Sequence, residues 1–224
     1  MVIPPEAPAP TASARPQVVP TLVCDRPISA FETAPLESFP PGWGSRDSDK
    51  IEVAQATYLV VEDEGQHVLR GRWRDKTTTI GIQIKDWDLD VYPVLQWRWK
   101  AVTLPAGANE SNSDTNDTGA AVYAIWKVGF PMFVRGIKYA WSSSLPVGTR
   151  TSKRMKYDQM LVLESGEEHL NRWQLAQVDV REHAQAYFET EVGPPDGIAV
   201  MTDADSTKTS AEAYFADFKL CRYE

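Results

Sequence analysis

The chain has 224 residues, of which 42% are hydrophobic, with a net charge of -8 at pH 7 and a mean hydropathy of -0.37. No apolar run approaches the roughly 20 residues that span a bilayer, and no cluster of Lys and Arg forms the basic face typical of nucleic-acid-binding proteins. We therefore predict neither a transmembrane segment nor a nucleic-acid partner. One globular domain is expected, with a sugar, a cation or a protein as its ligand.

The N-terminal segment, residues 1–26, is rich in Pro and Ala and contains no aromatic residue. It cannot bury enough apolar surface to offset the entropy lost on ordering, so we predict a flexible tether to a cell envelope, with or without a lipid. Met1 is followed directly by this segment rather than by a basic stretch and an apolar run, so no signal peptide is expected within the chain as given.

Over residues 27–224, short apolar runs alternate with turn sequences, a pattern typical of an all-β sandwich. The predicted strands are TYLVVED, HVLRGRW, TTIGIQIK, PVLQWRWKAV, AAVYAIWKV, IKYAWSS, QMLVLES, GIAVMTD and AYFADFKLCR. Several runs have apolar residues at both odd and even positions, which favours a two-sheet jelly roll with its ligand on a concave outer face. One short helix is predicted over 179–192, where Asp179 can cap the first turn.

The run VLQWRWKAV places Arg98 between Trp97 and Trp99. Side chains alternate along a strand, so both indoles face one way and Arg98 the other. We predict that Trp97 and Trp99 lie in the core. Arg98 would then lie on a polar face, where its planar guanidinium suits carboxylates or sugar hydroxyls. An ordinary solvated or salt-bridged Arg is the alternative.

Three aromatic residues and two acids complete the candidate ligand site. Tyr123, Tyr139 and Trp141 could stack on sugar rings, with burial in the core as the alternative. Asp117 and Asp203 lie in Asp-rich loops whose oxygens suit a polar ligand or a hard cation, although neither loop matches an EF-hand. Solvated turn residues are the alternative for both acids.

Catalytic motifs of high specificity are lacking. The sequence contains no HExxH, GxSxG, GxGxxG or P-loop pattern, so catalytic residues stay unassigned. The remaining enzymatic alternatives are glycoside hydrolysis by paired carboxylates and β-elimination from a uronic acid. Elimination would use Tyr123 or Tyr139 as the base and Arg98 to neutralise the substrate carboxylate.

Five sequence blocks, YPVLQWRWKAVTLPAGANES, AVYAIW, KYAWSSSLPVGT, IAVMTDADST and AYFADF, occur in an order that resembles the bacterial family of domain of unknown function 3047. The resemblance covers roughly residues 30–220 and implies an exported single-domain β-sandwich without an established activity. In the family pattern a pair of acids and an Arg precede the Tyr of this second block. Here Asn116 and Asp117 stand at the pair and Ala121 at the Arg position.

The segments FETAPLESFPPGW and AYFADFKL resemble the opening and closing strands of jelly-roll carbohydrate-binding modules. That resemblance implies a structural Ca²⁺ shared by Glu32 and Asp217. Because the first and last strands of a jelly roll are commonly neighbours, we also predict a disulfide between Cys24 and Cys221, with two unrelated buried thiols as the alternative. A disulfide would place the protein outside the cytoplasm, in the periplasm, on the outer membrane or in the medium.

The first functional hypothesis is an exported, monomeric carbohydrate-binding sandwich with a glycan as its partner. The alternatives are a lyase or glycoside hydrolase of the same fold and a structural protein of the cell envelope.

Overall fold

The computed structural model describes residues 20–29, 31–73, 78–128, 133–153, 157–188 and 192–224. The strands and α-helices in chain order are β1 (Leu22–Pro27), β2 (Gly44–Ser45), α1 (Ile51–Thr57), β3 (Tyr58–Asp63), β4 (Gln66–Arg72), β5 (Ile80–Gln83), β6 (Val94–Thr103), β7 (Thr118–Val128), β8 (Phe133–Ser142), β9 (Arg150–Lys153), β10 (Asp158–Ser165), β11 (Gln174–Asp179), α2 (Val180–Tyr187), β12 (Gly197–Asp203) and β13 (Glu212–Tyr223). Short 3-10 turns cover Phe31–Thr33, Ser48–Lys50 and Ser113–Thr115.

The strands form two sheets that pack as a jelly-roll β-sandwich, which confirms the predicted fold class. The six-stranded sheet has the order β11-β6-β13-β4-β3, with β1 also paired to β13, and the seven-stranded sheet has the order β2-β5-β12-β7-β8-β10-β9. Pairing is antiparallel except between β8 and β10. Each of the nine predicted runs contains a strand, whereas β1, β2, β9, β11 and α1 were not predicted.

β13 lies at the centre of the six-stranded sheet. One of its edges pairs with β6, and the other pairs with β4 in its first half and with β1 in its second half. The predicted boundary of the tether at residue 26 therefore falls inside a paired strand, because β1 begins at Leu22. Residues 1–19 lie outside the described residues.

The predicted disulfide between Cys24 and Cys221 is confirmed. It joins β1 to β13 across a sequence separation of 197 residues. Closing so long a loop restricts the unfolded chain, which stabilises the fold by about 4–5 kcal/mol in the chain-entropy account. The two ends of the sandwich domain are thus covalently joined within one sheet.

The core between the sheets is built around aromatic rings, and the predicted burial of Trp97 and Trp99 is confirmed. Both indoles are 0% exposed. The Trp97 ring centroid lies 5.7 Å from that of Tyr139, and the Trp99 centroid lies 5.7 Å from that of Trp141. These contacts join β6 of one sheet to β8 of the other, so they supply a large share of the apolar burial that holds the sheets together.

The predicted helix is confirmed as α2 but is shorter than expected. Asp179 caps it, since its carboxylate accepts a hydrogen bond of 2.8 Å from the backbone N–H of Glu182. The helix ends at Tyr187 rather than at residue 192; residues 189–191 lie outside the described residues. Within the described ranges, no helix has the length and apolar character needed to cross a membrane.

Candidate functional site

Each sheet has one face toward the core and one outer face. On the seven-stranded sheet we call the outer surface the Tyr123 face; strand parity and cross-strand register assign to it Gly81, Ala121, Tyr123, Lys138, Ala140, Asp158, Met160, Ala199, Met201 and Asp203. On the six-stranded sheet the outer surface is the Arg98 face, which comprises Asp63, Gln66, Arg98, Lys100, Trp173, Tyr214 and Asp217.

A row of paired residues crosses the middle of the Tyr123 face. Tyr123 lies between Ala199 of β12 and Lys138 of β8, and Ala199 pairs in turn with Gly81 of β5. A Cβ atom at Gly81 would lie 2.9 Å from the carbonyl oxygen of Ile198, so this position accepts no side chain without a shift of the backbone. One flank of the tyrosine ring is therefore lined by the two smallest residue types.

The hydroxyl of Tyr123 has a weak partner. The side chain is half-buried, and its hydroxyl donates to the thioether sulfur of Met201 over 3.4 Å. Thioether sulfur is a poor acceptor. Burial raises the pKa of Tyr123 well above its ordinary value, and the nearby charges of Asp203 and Asp158 raise it further. The phenol is therefore protonated at neutral pH and can donate a hydrogen bond.

Lys138 lies beside Tyr123 and is connected by hydrogen bonds, through Thr118, to the buried carboxylate of Glu110. Its Nζ atom is 6.0 Å from the Tyr123 ring centroid and donates to the Thr118 hydroxyl over 2.6 Å. Thr118 donates to one oxygen of Glu110, and the Ser142 hydroxyl donates to the other over 2.6 Å. These bonds satisfy a carboxylate that is 1% exposed. The network fixes Lys138 beside Tyr123 in the middle of the face.

Three aspartates meet at the end of this face where β12 finishes. Carboxylate oxygens of Asp117, Asp203 and Asp205 all lie within 4.8 Å of one another. Burial raises the pKa of Asp117, but hydrogen bonds from Thr207 and Ser206 outweigh it and hold that pKa below its ordinary value. Asp117 is thus a stable anion whose donors come from the loop between β12 and β13.

The Arg98 face is bonded internally. Arg98 Nε forms an ion pair with Asp217, its Nη2 donates to Gln66 over 2.7 Å, and its guanidinium lies 4.9 Å from the Trp173 ring centroid. Asp217 has a φ of 55° at a register shift of β13, opposite Arg98. The predicted salt-bridged alternative for Arg98 is therefore the observed arrangement.

The predicted site residues fall into separate places. Tyr123, Asp117 and Asp203 share one face of the seven-stranded sheet, whereas Arg98 lies on the outer face of the other sheet. Tyr139 and Trp141 are 0% exposed and point into the core, because they share the parity of the buried Ile137 on β8; their assignment to a ligand surface is corrected accordingly. The Tyr–Arg arrangement needed for β-elimination is not assembled from Arg98, Tyr123 and Tyr139.

The two residues of the predicted calcium site, Glu32 and Asp217, lie in different environments. Glu32 lies exposed in a 3-10 turn, and Asp217 is the ion-pair partner of Arg98. A calcium ion shared by these two carboxylates stays a prediction.

The sequence analysis overlooked Lys138 on the Tyr123 face, and Thr118 and Ser142 in the buried network beside it. Lys138 precedes the buried Tyr139 in KYAWSS, so the alternation that placed Arg98 opposite its tryptophans also predicts an outward Lys138. The link through Thr118 to Glu110 has no comparable local signal, since Glu110 reaches Ser142 across 32 residues.

Comparison with known proteins gives one family and several remote structural likenesses. A family model described as Protein of unknown function (DUF3047) matches residues 42–219, and no curated protein matches the sequence. The chain is similar to the family 11 carbohydrate-binding module from Clostridium thermocellum in complex with a beta-1,3-1,4-mixed-linked tetrasaccharide, at 9% identity over 87% of this chain and 94% of that chain, with a TM-score of 0.42.

Two further solved structures are similar to a comparable degree. The family 30 carbohydrate-binding module of a cellulosomal cellulase of Clostridium thermocellum is 11% identical over 84% of this chain and 93% of that chain, with a TM-score of 0.41. The Trichoderma harzianum endoglucanase 3 from family GH12 is 8% identical over 95% of this chain and 100% of that chain, with a TM-score of 0.42.

Proposed function

Because its family model matches residues 42–219, this chain belongs to the family described as Protein of unknown function (DUF3047), and we propose that it is an exported glycan-binding β-sandwich whose ligand lies on the Tyr123 face. Export is proposed because the disulfide between Cys24 and Cys221 needs an oxidising compartment to form and persist.

The observation that carries the proposal is the half-buried Tyr123 hydroxyl, whose one acceptor among the described residues is a thioether sulfur. A sugar hydroxyl is a much stronger acceptor than sulfur, so a bound glycan would improve this hydrogen bond. Gly81 and Ala199 place only small side groups on one side of the ring, and we place the apolar face of a pyranose against that side. Lys138 and Asp203 would add a donor and an acceptor for other hydroxyls.

Binding is favoured over β-elimination by the ionisation of the tyrosine. A catalytic base must reach its deprotonated form near the working pH, and burial together with the charges of Asp203 and Asp158 opposes this at Tyr123. Arg98, the predicted partner for a substrate carboxylate, is bonded to Asp217 on the opposite sheet. Both features argue for a donor role of the phenol.

Affinity electrophoresis in native gels tests the proposal. The gels would contain mixed-linkage β-glucan, xylan, galactomannan or polygalacturonate, one per gel. We expect at least one of these to retard the protein without release of reducing ends or of unsaturated products. Tyr123→Ala should weaken the retarding interaction by about tenfold or more, and Tyr123→Phe by about fivefold, the value of one lost hydrogen bond.

The matched control is Tyr214→Phe, since Tyr214 is also partly buried but lies on the Arg98 face. It should leave retardation unchanged. The proposal would be contradicted if none of the four glycans retarded the wild-type protein. It would also be contradicted if Tyr123→Ala were retarded as strongly as the wild type, or if products were released.

A further inference from the structure

The helix α2 contacts both sheets at one side of the sandwich. It follows β11, an edge strand of the six-stranded sheet, and two of its side chains, His183 and Tyr187, contact the seven-stranded sheet. His183 is hydrogen-bonded to Tyr139 of β8, and Tyr187 lies against Arg150 of β9. These four residues belong to neither outer face. They form a group of titratable side chains that the proposed glycan site does not use.

The four side chains form a stack that runs from solvent to the core. The guanidinium of the exposed Arg150 lies 3.8 Å from the centroid of the Tyr187 ring. Tyr187 is stacked on His183, with ring centroids 5.2 Å apart and an interplanar angle of 7°. The Tyr139 ring follows at 5.6 Å from His183 and contacts Trp97 in the core. His183 thus lies between the exposed end of the stack and its buried end.

The Tyr139 hydroxyl determines which form of His183 fits the docked helix. Tyr139 is 0% exposed, and its hydroxyl lies 3.1 Å from Nδ1 of His183, its one hydrogen-bond partner in the part of the chain that the structure describes. Burial raises the pKa of Tyr139 well above its ordinary value, so the phenol keeps its proton and has to donate it. Nδ1 therefore accepts this bond, which an imidazole can do only in its neutral form.

Protonation of His183 removes this acceptor. Both nitrogens of an imidazolium carry protons, so the Tyr139 O–H is left without an acceptor in the core, which is costly for a buried donor. Besides the two phenols of the stack, the charged groups near His183 are Arg150, Asp179 and Glu182. Burial lowers the pKa of His183 below its ordinary value of 6.5 and the charge of Arg150 lowers it further, whereas the two acids oppose this change. The docked helix therefore favours a neutral His183.

Few apolar contacts hold α2 in place. The helix has eight residues, too few for stability on its own in water, and its buried side chains are Val180 and Ala184. Phe188, directly after the helix, is also buried and packs on Trp126. Because this apolar contribution is small, one buried hydrogen bond is a substantial part of the free energy that keeps α2 docked.

We propose that α2 is an acid-sensitive latch on the side of the sandwich, docked while His183 is neutral and open more often once His183 is protonated. Opening exposes the imidazole to water, where it binds a proton at its ordinary pKa. The stabilising contribution of His183 is therefore complete above about pH 6.5 and is lost as the pH falls through the lowered folded-state pKa. Opening also admits water to the contact between Tyr139 and Trp97. The latch does not depend on a bound glycan.

Hydrogen exchange of the full chain, followed by NMR at about pH 7.5 and about pH 5 and corrected for intrinsic exchange rates, tests the proposal. Protection of the backbone amides of residues 184–188 should fall about tenfold between the two pH values, the effect of one lost hydrogen bond. At both pH values it should be lower than the protection of the β13 amides, because the helix opens without unfolding of the whole domain.

Two substitutions of His183 separate its titration from its other contacts. His183→Gln keeps an acceptor for the Tyr139 hydroxyl but does not titrate, so the protection of α2 should agree within about twofold at the two pH values. His183→Phe keeps the stack on Tyr187 without an acceptor. Its protection should be about tenfold below that of the wild type at the higher pH and again independent of pH. This second variant keeps the test decisive if glutamine does not reach the phenol.

The matched control is His67→Gln. Nδ1 of His67 lies 3.0 Å from the backbone oxygen of Ala34, which can only accept, so this imidazole donates and keeps its bond when it is protonated. The variant should retain the pH dependence of the wild type.

The proposal would be overturned if α2 showed no pH dependence in the wild type, or if the dependence persisted in both His183 variants. Loss of the dependence in His67→Gln would also overturn it. So would equal protection of the α2 and β13 amides, because the helix would then open only when the whole domain unfolds.

Discussion

The two outer faces of the sandwich differ in how their outward polar groups are satisfied. On the Arg98 face, the guanidinium of Arg98 is bonded to Asp217 and Gln66. On the Tyr123 face, the hydroxyl of Tyr123 is bonded to the sulfur of Met201, which is a poor acceptor. The first face has little left to offer a ligand, whereas the second keeps a donor whose bond a ligand would improve. An outward polar residue is thus a binding candidate only when the fold leaves its bonding incomplete.

Substitution of Trp97, in the core between the two sheets, has the largest expected effect on the free energy of unfolding. Trp97→Ala should lower the free energy of unfolding by about 3–5 kcal/mol, because it removes buried apolar area and leaves a cavity between the sheets. Urea denaturation measures the change. Leu175→Ala is the control, since Leu175 is 59% exposed on β11 beside Arg98, and it should cost less than about 0.5 kcal/mol. A similar loss in both variants would show that the indole is not part of the core.

Removal of the disulfide should affect the two sheets unequally. Replacing Cys24 and Cys221 by Ala should lower the free energy of unfolding by about 2–5 kcal/mol, with the chain-entropy value as the upper limit, since the unfolded chain regains the entropy of a long open loop. The bond lies in the six-stranded sheet, so glycan retardation below the melting temperature should persist. Thermal melting of the variant should match that of the reduced wild-type protein. Loss of retardation in the folded variant would show that the Tyr123 face depends on the opposite sheet.

Strand alternation was sufficient to predict part of this arrangement. It separated Arg98 from Trp97 and Trp99, because apolar and polar residues alternate from Leu95 to Ala101. It left Tyr123 undecided, because that strand has apolar residues at both odd and even positions and the core side there depends on cross-strand register, which a single sequence does not contain. For Tyr139 and Trp141 the alternation with Lys138 did indicate the core side, and the prediction of a ligand surface disregarded it.

The remaining differences between the predictions from sequence and the structure come from partners far away in the sequence and from weak local signals. Asp217 lies 119 residues from Arg98, so nothing near the arginine indicates that it is paired. β1 was assigned to the tether because its segment lacks aromatic residues, yet β13 supplies its backbone partners and the disulfide holds it. Tertiary contacts here override local composition.

Substitution of Asp117 should lower the free energy of unfolding by an intermediate amount, and this amount should depend on pH. Its folded-state pKa is below the ordinary value of 3.8, since hydrogen bonds from Thr207 and Ser206 outweigh burial. A depressed pKa stabilises the fold above the unfolded-state value, and this contribution is lost as pH falls through the folded-state pKa. Asp117→Asn should therefore cost about 1–2 kcal/mol at pH 7 and progressively less below about pH 4.

Urea unfolding at several pH values between neutrality and strong acid measures this dependence. Asp114→Asn is the control, because Asp114 is exposed in the same loop, and it should change the free energy of unfolding by less than about 0.5 kcal/mol. A constant difference between wild type and Asp117→Asn at all pH values would mean that the carboxylate charge does not contribute.

The smallest expected effect concerns the ion pair of the Arg98 face. A double-mutant cycle with Arg98→Met and Asp217→Asn should give a coupling of about 0.5–1 kcal/mol, as is usual for partly exposed pairs. Met keeps an aliphatic stem against Trp173, and Asn tolerates the φ of 55° at residue 217. Any glycan that retards the wild-type protein should retard Arg98→Met equally, because the arginine is already bonded. If Arg98→Met lost retardation while Tyr123→Ala kept it, the ligand would lie on the six-stranded sheet and would compete with Asp217 for the guanidinium.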